Sequence, residues 1–103
     1  MRLKDNTVKL HGIRPELLFA LQVAAEVYKV YGQELVITSC NDSKHAPTSL
    51  HYAGCAVDMR THYFTDSICR KVQSDIKERL GIDFDVVLEK DHLHIEYQPK
   101  RRS

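Results

Sequence analysis

The segment 84–97, FDVVLEKDHLHIEY, constrains this chain more than any other. Its second half alternates without a break. Leu93, Ile95 and Tyr97 fall on one face of an extended strand, and His92, His94 and Glu96 on the other. Successive side chains of a strand point to opposite sides. This run therefore has an apolar face that must be covered and a second face carrying two imidazoles and a carboxylate. FDVVLE is a matching strand, and Lys90-Asp91 forms the turn between the two. A hairpin alone is marginal in water, so the rest of the chain has to supply more sheet and a covering layer.

Residues 14–32, RPELLFALQVAAEVYKVYG, read as the main helix of that layer. Pro15 suits a first helical turn, Gly32 suits the stop, and Leu17, Leu18, Leu21, Ala24, Ala25, Tyr28 and Tyr31 recur at spacings of three and four. That stripe is expected in the core. Residues 65–81, TDSICRKVQSDIKERLG, read as a second helix, with Asp66 or Ser67 as its cap and Gly81 as its end. Ile68, Val72, Ile76 and Leu80 form its stripe. ELVITS (34–39) is a short β-branched run, and CAVDM (55–59) alternates, with Cys55, Val57 and Met59 opposed to Ala56, Asp58 and Arg60. The polar stretch 40–50 between them is a loop. The order helix, strand, loop, strand, helix, hairpin predicts an α+β fold: a small, largely antiparallel sheet with helices packed on one face. With 103 residues the chain is expected to be a single domain, 1–103, ending in a basic tail from about 99 to 103.

Charge narrows the partners. Lys and Arg number 15 against 14 Asp and Glu, which offers no global attraction to nucleic acid. No stretch reaches the ~20 apolar residues of a membrane span, so no membrane insertion is expected. MRLKDNTVKL lacks the apolar run of a signal peptide. Synthesis in a cytoplasm and a monomeric state are the expectations. Cys40, Cys55 and Cys69 match neither a disulfide framework nor a zinc-finger spacing, and read as small buried residues. Histidine is over-used, with six in the chain, most of them in the windows 45–62 and 92–94.

Those histidines fall near the polar faces of two strands. Asp58 and Arg60 share one such face, and His92 and His94 another. His51 precedes the first of these strands by a short turn through Gly54. If the strands are neighbours, two imidazoles and one carboxylate can meet, a donor set that suits zinc with one position open, as in catalytic sites. Solvated surface histidines are the competing reading.

SLHYAGCAVD (49–58) resembles the S-x-H-x-x-G-x-A-x-D motif of the zinc D,D-carboxypeptidase and L-alanyl-D-glutamate endopeptidase family, whose members share the hedgehog/D,D-peptidase fold. DHLHIEY (91–97) is similar to the closing motif of that family, an acidic residue followed three positions later by the third zinc histidine. The resemblance implies His51, Asp58 and His94 as ligands of a zinc cofactor and Asp91 as general acid/base. Ser49 matches the motif serine, which orders the loop, and Gly54 a turn that a side chain would obstruct. The implied activity is that of a zinc metallopeptidase, hydrolysing peptidoglycan stem peptides through a metal-activated water. A small single-domain version without a signal peptide resembles phage endolysins, which reach the bacterial cell wall after release. The implied bond is L-alanyl-D-glutamate or D-alanyl-D-alanine, with the endopeptidase slightly preferred by family analogy.

Other residues fill out this reading. His92 shares the face of His94 and is a cleft-lining candidate. Glu96 is a candidate to accept a hydrogen bond from the far nitrogen of a ligand histidine. Glu89 is the runner-up base. The chain departs from the family where an arginine commonly follows the second strand: Asp42 stands there. Arg60 is the candidate to take over substrate or oxyanion binding, ahead of Lys44 and His45. The same departure feeds an alternative function, a catalytically inactive, zinc-stabilised binding module of the same fold.

Overall fold

The structure, a computed structural model, describes residues 1–10, 12–41 and 56–99. Five strands and two helices follow in the order β1 (Arg2–Leu3), α1 (Pro15–Val30), β2 (Val36–Asn41), β3 (Ala56–Arg60), α2 (Asp66–Leu80), β4 (Phe84–Leu88) and β5 (His92–Tyr97). They form one α+β unit around a single sheet of order β1-β2-β3-β5-β4. Every pairing is antiparallel except that of β1 with β2.

The alternation in each strand decides which face is covered. Ile37, Val57, Met59, Val86, Leu93 and Ile95 join one buried cluster with Leu17, Ala20, Leu21, Ala24, Val27 and Tyr28 of α1 and Val72 and Ile76 of α2. The helices thus lie over that face. They are tied to each other by Tyr31 Oη, which donates to Asp75 Oδ2 at 2.7 Å. Fully burying a side chain such as Leu93 or Ile95 is worth ~1.5–3 kcal/mol, and both are sealed from solvent.

Local signals explain the ends of the helices. Pro15 takes the first position of α1, where its missing N–H costs nothing. Gly32 and Gly81 follow the two helices at φ +85° and +83°, in the left-handed region that favours glycine. The cap of α2 is Thr65, whose Oγ1 accepts from the Ile68 amide at 3.2 Å, and not Asp66 or Ser67. Those two already lie within the first turn, one and two residues past the cap position.

Two further features differ from the sequence reading. Leu18 is 41% exposed; it lies at the outer margin of the α1 stripe, and Ala20 and Val27 take the buried positions. The strand β1 is too short to show any periodicity and gains its place from pairing Arg2 with Val36 and Leu3 with Ile37. Cys69 is a buried free thiol, and Cys40 is half-buried. Residues 42–55, Cys55 among them, and residues 100–103 lie outside the described residues, and β2 runs to Asn41, two residues into the stretch expected as a loop.

Candidate functional site

The face of the sheet opposite the helices gathers the polar residues of β3 and β5 in a fixed register. Asp58 stands opposite His94, Arg60 opposite His92, and Ala56 opposite Glu96. Directly opposed residues of an antiparallel pair share a face and lie within side-chain reach. Asp58 Oδ1 accordingly lies 2.7 Å from His94 Nδ1. The same carboxylate oxygen is 3.7 Å from His92 Nε2.

His94 is held at both ring nitrogens. Its Nε2 lies 3.1 Å from Glu96 Oε1, two residues along the same strand face. The other oxygen of Glu96 accepts from the side-chain amide of Gln98. The Glu96 side chain is only 16% exposed, so its hydrogen bonds face little competition from water. The hydrogen bond to Asp58 above all, opposed by desolvation and aided by Glu96, raises the pKa of His94 from 6.5 to about 9. In the metal-free protein the imidazolium is therefore the form that spans the two carboxylates at neutral pH.

This arrangement suits a metal ligand. With an acceptor on Nε2 holding a proton there, Nδ1, which donates to Asp58 in the metal-free protein, is the nitrogen that would ligate a metal once its proton is lost. One hard anionic oxygen and one imidazole nitrogen side by side are zinc-compatible donors. Among the described residues no group of three or more His, Cys, Asp and Glu side chains is disposed to hold a metal ion. His51 and the motif residues Ser49 and Gly54 lie outside the described residues, as do Asp42, Lys44 and His45.

Asp91 sits in the β4–β5 turn, which the Glu89 amide closes by donating to the His92 carbonyl at 2.9 Å. Its side chain is 84% exposed, and its Oδ1 lies 2.7 Å from His92 Nδ1. That bond, foremost, holds its pKa below the ordinary carboxylate value. His92 thus stands between two carboxylates, Asp91 on one ring nitrogen and Asp58 beyond the other. The sequence pattern marks His92 as a neighbour of His94; it carries no signal that His92 touches Asp91. Tyr63 packs over the helix layer, edge-on to Tyr28 and Phe64, and donates to the Glu34 carbonyl.

Beside this cluster lies a cavity of about 310 Å³ lined by Lys4, Thr38, Arg60, His62, Asp91 and His92. A larger open cavity of about 550 Å³, at the end of α1 and the start of β2, shares none of these residues. Among the described residues no helix is long and apolar enough to cross a membrane. Comparisons of the chain with protein-family models, with curated proteins and with solved structures find no match.

Proposed function

We propose that this protein is a zinc peptidase acting on peptidoglycan stem peptides, with the hedgehog/D,D-peptidase fold that the two sequence motifs imply. The observation that carries the reading is the Asp58–His94 pair. Two motifs separated by more than thirty residues of sequence each name one member of this pair as a ligand. The two named side chains are cross-strand partners, in contact at 2.7 Å.

His51, Asp58 and His94 would hold the ion, and Glu96 would orient the ring of His94. Zinc, when bound in such a site, acidifies a water toward neutral pH and polarises a carbonyl oxygen. The chain's own residues supply the proton traffic. Asp91, ionised at neutral pH, receives a proton as the peptide carbonyl is attacked and returns it to the departing amine. His92 Nδ1 holds that carboxylate in place. The turn position of Asp91 leaves it open to a peptide lying along the polar sheet face.

Replacing Asp91 by alanine tests this assignment. Asp91→Ala is expected to retain one zinc per chain and to lose cleavage of purified peptidoglycan. Undiminished cleavage, or loss of the zinc, contradicts the role given to Asp91. A zinc-stabilised binding module is the second reading, favoured by Asp42 at the place of the family arginine. It prevails if the wild-type protein binds one zinc yet releases no new amino termini and no free D-alanine.

A further inference from the structure

We infer that the cavity beside the Asp58–His94 pair is an anion subsite that reads a free α-carboxylate on the residue whose amine departs. Its position in the reaction rests on the peptidase reading above; its anion chemistry rests on its own lining.

Four chain segments build the lining, around residues 4, 38, 60–62 and 91–92, and three of them carry its cations and hydroxyl. Lys4 follows β1 and is anchored by its amide, which donates to the Ile37 carbonyl at 2.8 Å. Thr38 occupies the register shift of β2 between Ile37 and Ser39. Arg60 ends β3, where its carbonyl accepts from the buried Tyr28 hydroxyl at 2.8 Å. That bond fixes the backbone of Arg60 to the helix layer. Among the described residues no carboxylate lies within ion-pair distance of the Arg60 guanidinium.

The charge balance of the cavity asks for an anion. Lys4 and Arg60 bring two basic side chains to it, and Thr38 and His62 add a hydroxyl and a ring nitrogen. Lys4 reaches Asp5 only at 3.9 Å, with both side chains well exposed. Among the described residues Asp91 is the one carboxylate of the lining, and it is engaged by His92. A guanidinium meets a carboxylate through two parallel hydrogen bonds, which a neutral carboxamide cannot reproduce.

The size of the anion follows from the substrate. His92 lines the cavity and lies 3.7 Å from Asp58, with Asp91 on its other ring nitrogen, so on the peptidase reading an anion bound there lies next to the scissile bond. In a terminal D-alanyl-D-alanine, the carbon bearing the scissile nitrogen also bears the C-terminal carboxylate. In the L-alanyl-D-glutamate unit of a stem peptide, the glutamate continues through its γ-carboxyl, and its α-carboxylate is free on the carbon bearing the scissile nitrogen. The two bonds present the same group at the same distance. One cation-lined subsite therefore serves either, and it rejects peptides in which that carboxylate is amidated.

The test uses the zinc-loaded full chain and two substrate pairs: L-Ala-γ-D-Glu-L-Lys with a free or amidated glutamate α-carboxyl, and an acyl-D-Ala-D-Ala with a free or amidated C-terminus. Whichever pair is cut, wild type is expected to favour the carboxylate by about tenfold or more in kcat/KM. That ratio should collapse towards one in Arg60→Ala combined with Lys4→Ala, and partly recover in Arg60→Lys. Equal cleavage of acid and amide by wild type overturns the subsite and leaves the peptidase reading standing. If no peptide is cut, the peptidase reading fails, and NMR titration of wild type with the same acid and amide decides the subsite. Tighter binding of the acids, lost in the double variant, sustains it; equal binding overturns it.

Discussion

Glu96 grips the ring of His94 on the edge opposite to Asp58, with Oε1 3.1 Å from Nε2. The contact follows from strand geometry, since residues 94 and 96 lie on one face of β5. It assigns a proton to Nε2 whenever Nδ1 is to carry a metal. Glu96→Ala is expected to weaken zinc binding by ~10–100-fold, measured by competition with a chromophoric chelator. Glu96→Gln keeps an acceptor and should fall between the two. Unchanged affinity in Glu96→Ala would mean that the ring is oriented by other groups.

A pH dependence follows from the Asp58–His94 contact. His94 is raised from 6.5 to about 9 in the folded metal-free protein, chiefly by Asp58. A raised value means that the stabilisation is complete below the unfolded value of 6.5 and is lost as the pH climbs through about 9. The Tm of the metal-free protein should therefore fall between pH 6.5 and 9, and Asp58→Asn should flatten that fall. Zinc must displace the same proton, so its affinity should rise by up to tenfold per pH unit over this range. A metal-free Tm that does not fall over this range contradicts the contact.

The covered face offers a contrast between two leucines. Leu93 is fully buried and Leu18 is 41% exposed. Leu93→Ala is expected to cost ~2–5 kcal/mol in urea unfolding, whereas Leu18→Ala should stay within ~0.5 kcal/mol. Comparable losses at both positions would mean that the margin of α1 is covered by something beyond the described residues.

The start of α2 rests on one hydroxyl. Thr65→Ala removes the acceptor for the Ile68 amide and should cost ~0.5–2 kcal/mol. Asp66→Ala and Ser67→Ala should each cost less, which the same unfolding experiment reads.

These contrasts show what the residues announce by themselves. Strict alternation in HLHIEY forces the separation of Leu93 and Ile95 from His94 and Glu96, because a one-residue slip would bury the charged set. The helices were legible for the same reason, through stripes with glycine at their ends. Thr65 was hidden because threonine, aspartate and serine stand in a row and all three can cap. The short β1 was hidden because two residues carry no period, and only its neighbour β2 defines it. The opposition of Asp58 to His94 is a matter of inter-strand register, which no local pattern in β3 or β5 encodes. The grip of Asp91 on His92 comes from a turn whose backbone geometry the sequence leaves open. The Lys4–Thr38–Arg60 lining joins three distant segments, so it emerges only once the sheet order is known.

The account stands most directly on one measurement, mass spectrometry of the products from defined muropeptides incubated with the zinc-loaded protein. It predicts either a new free amine on D-glutamate or the loss of a terminal D-alanine, with both signals absent after zinc is stripped. A protein that binds one zinc per chain and leaves every muropeptide intact would contradict it.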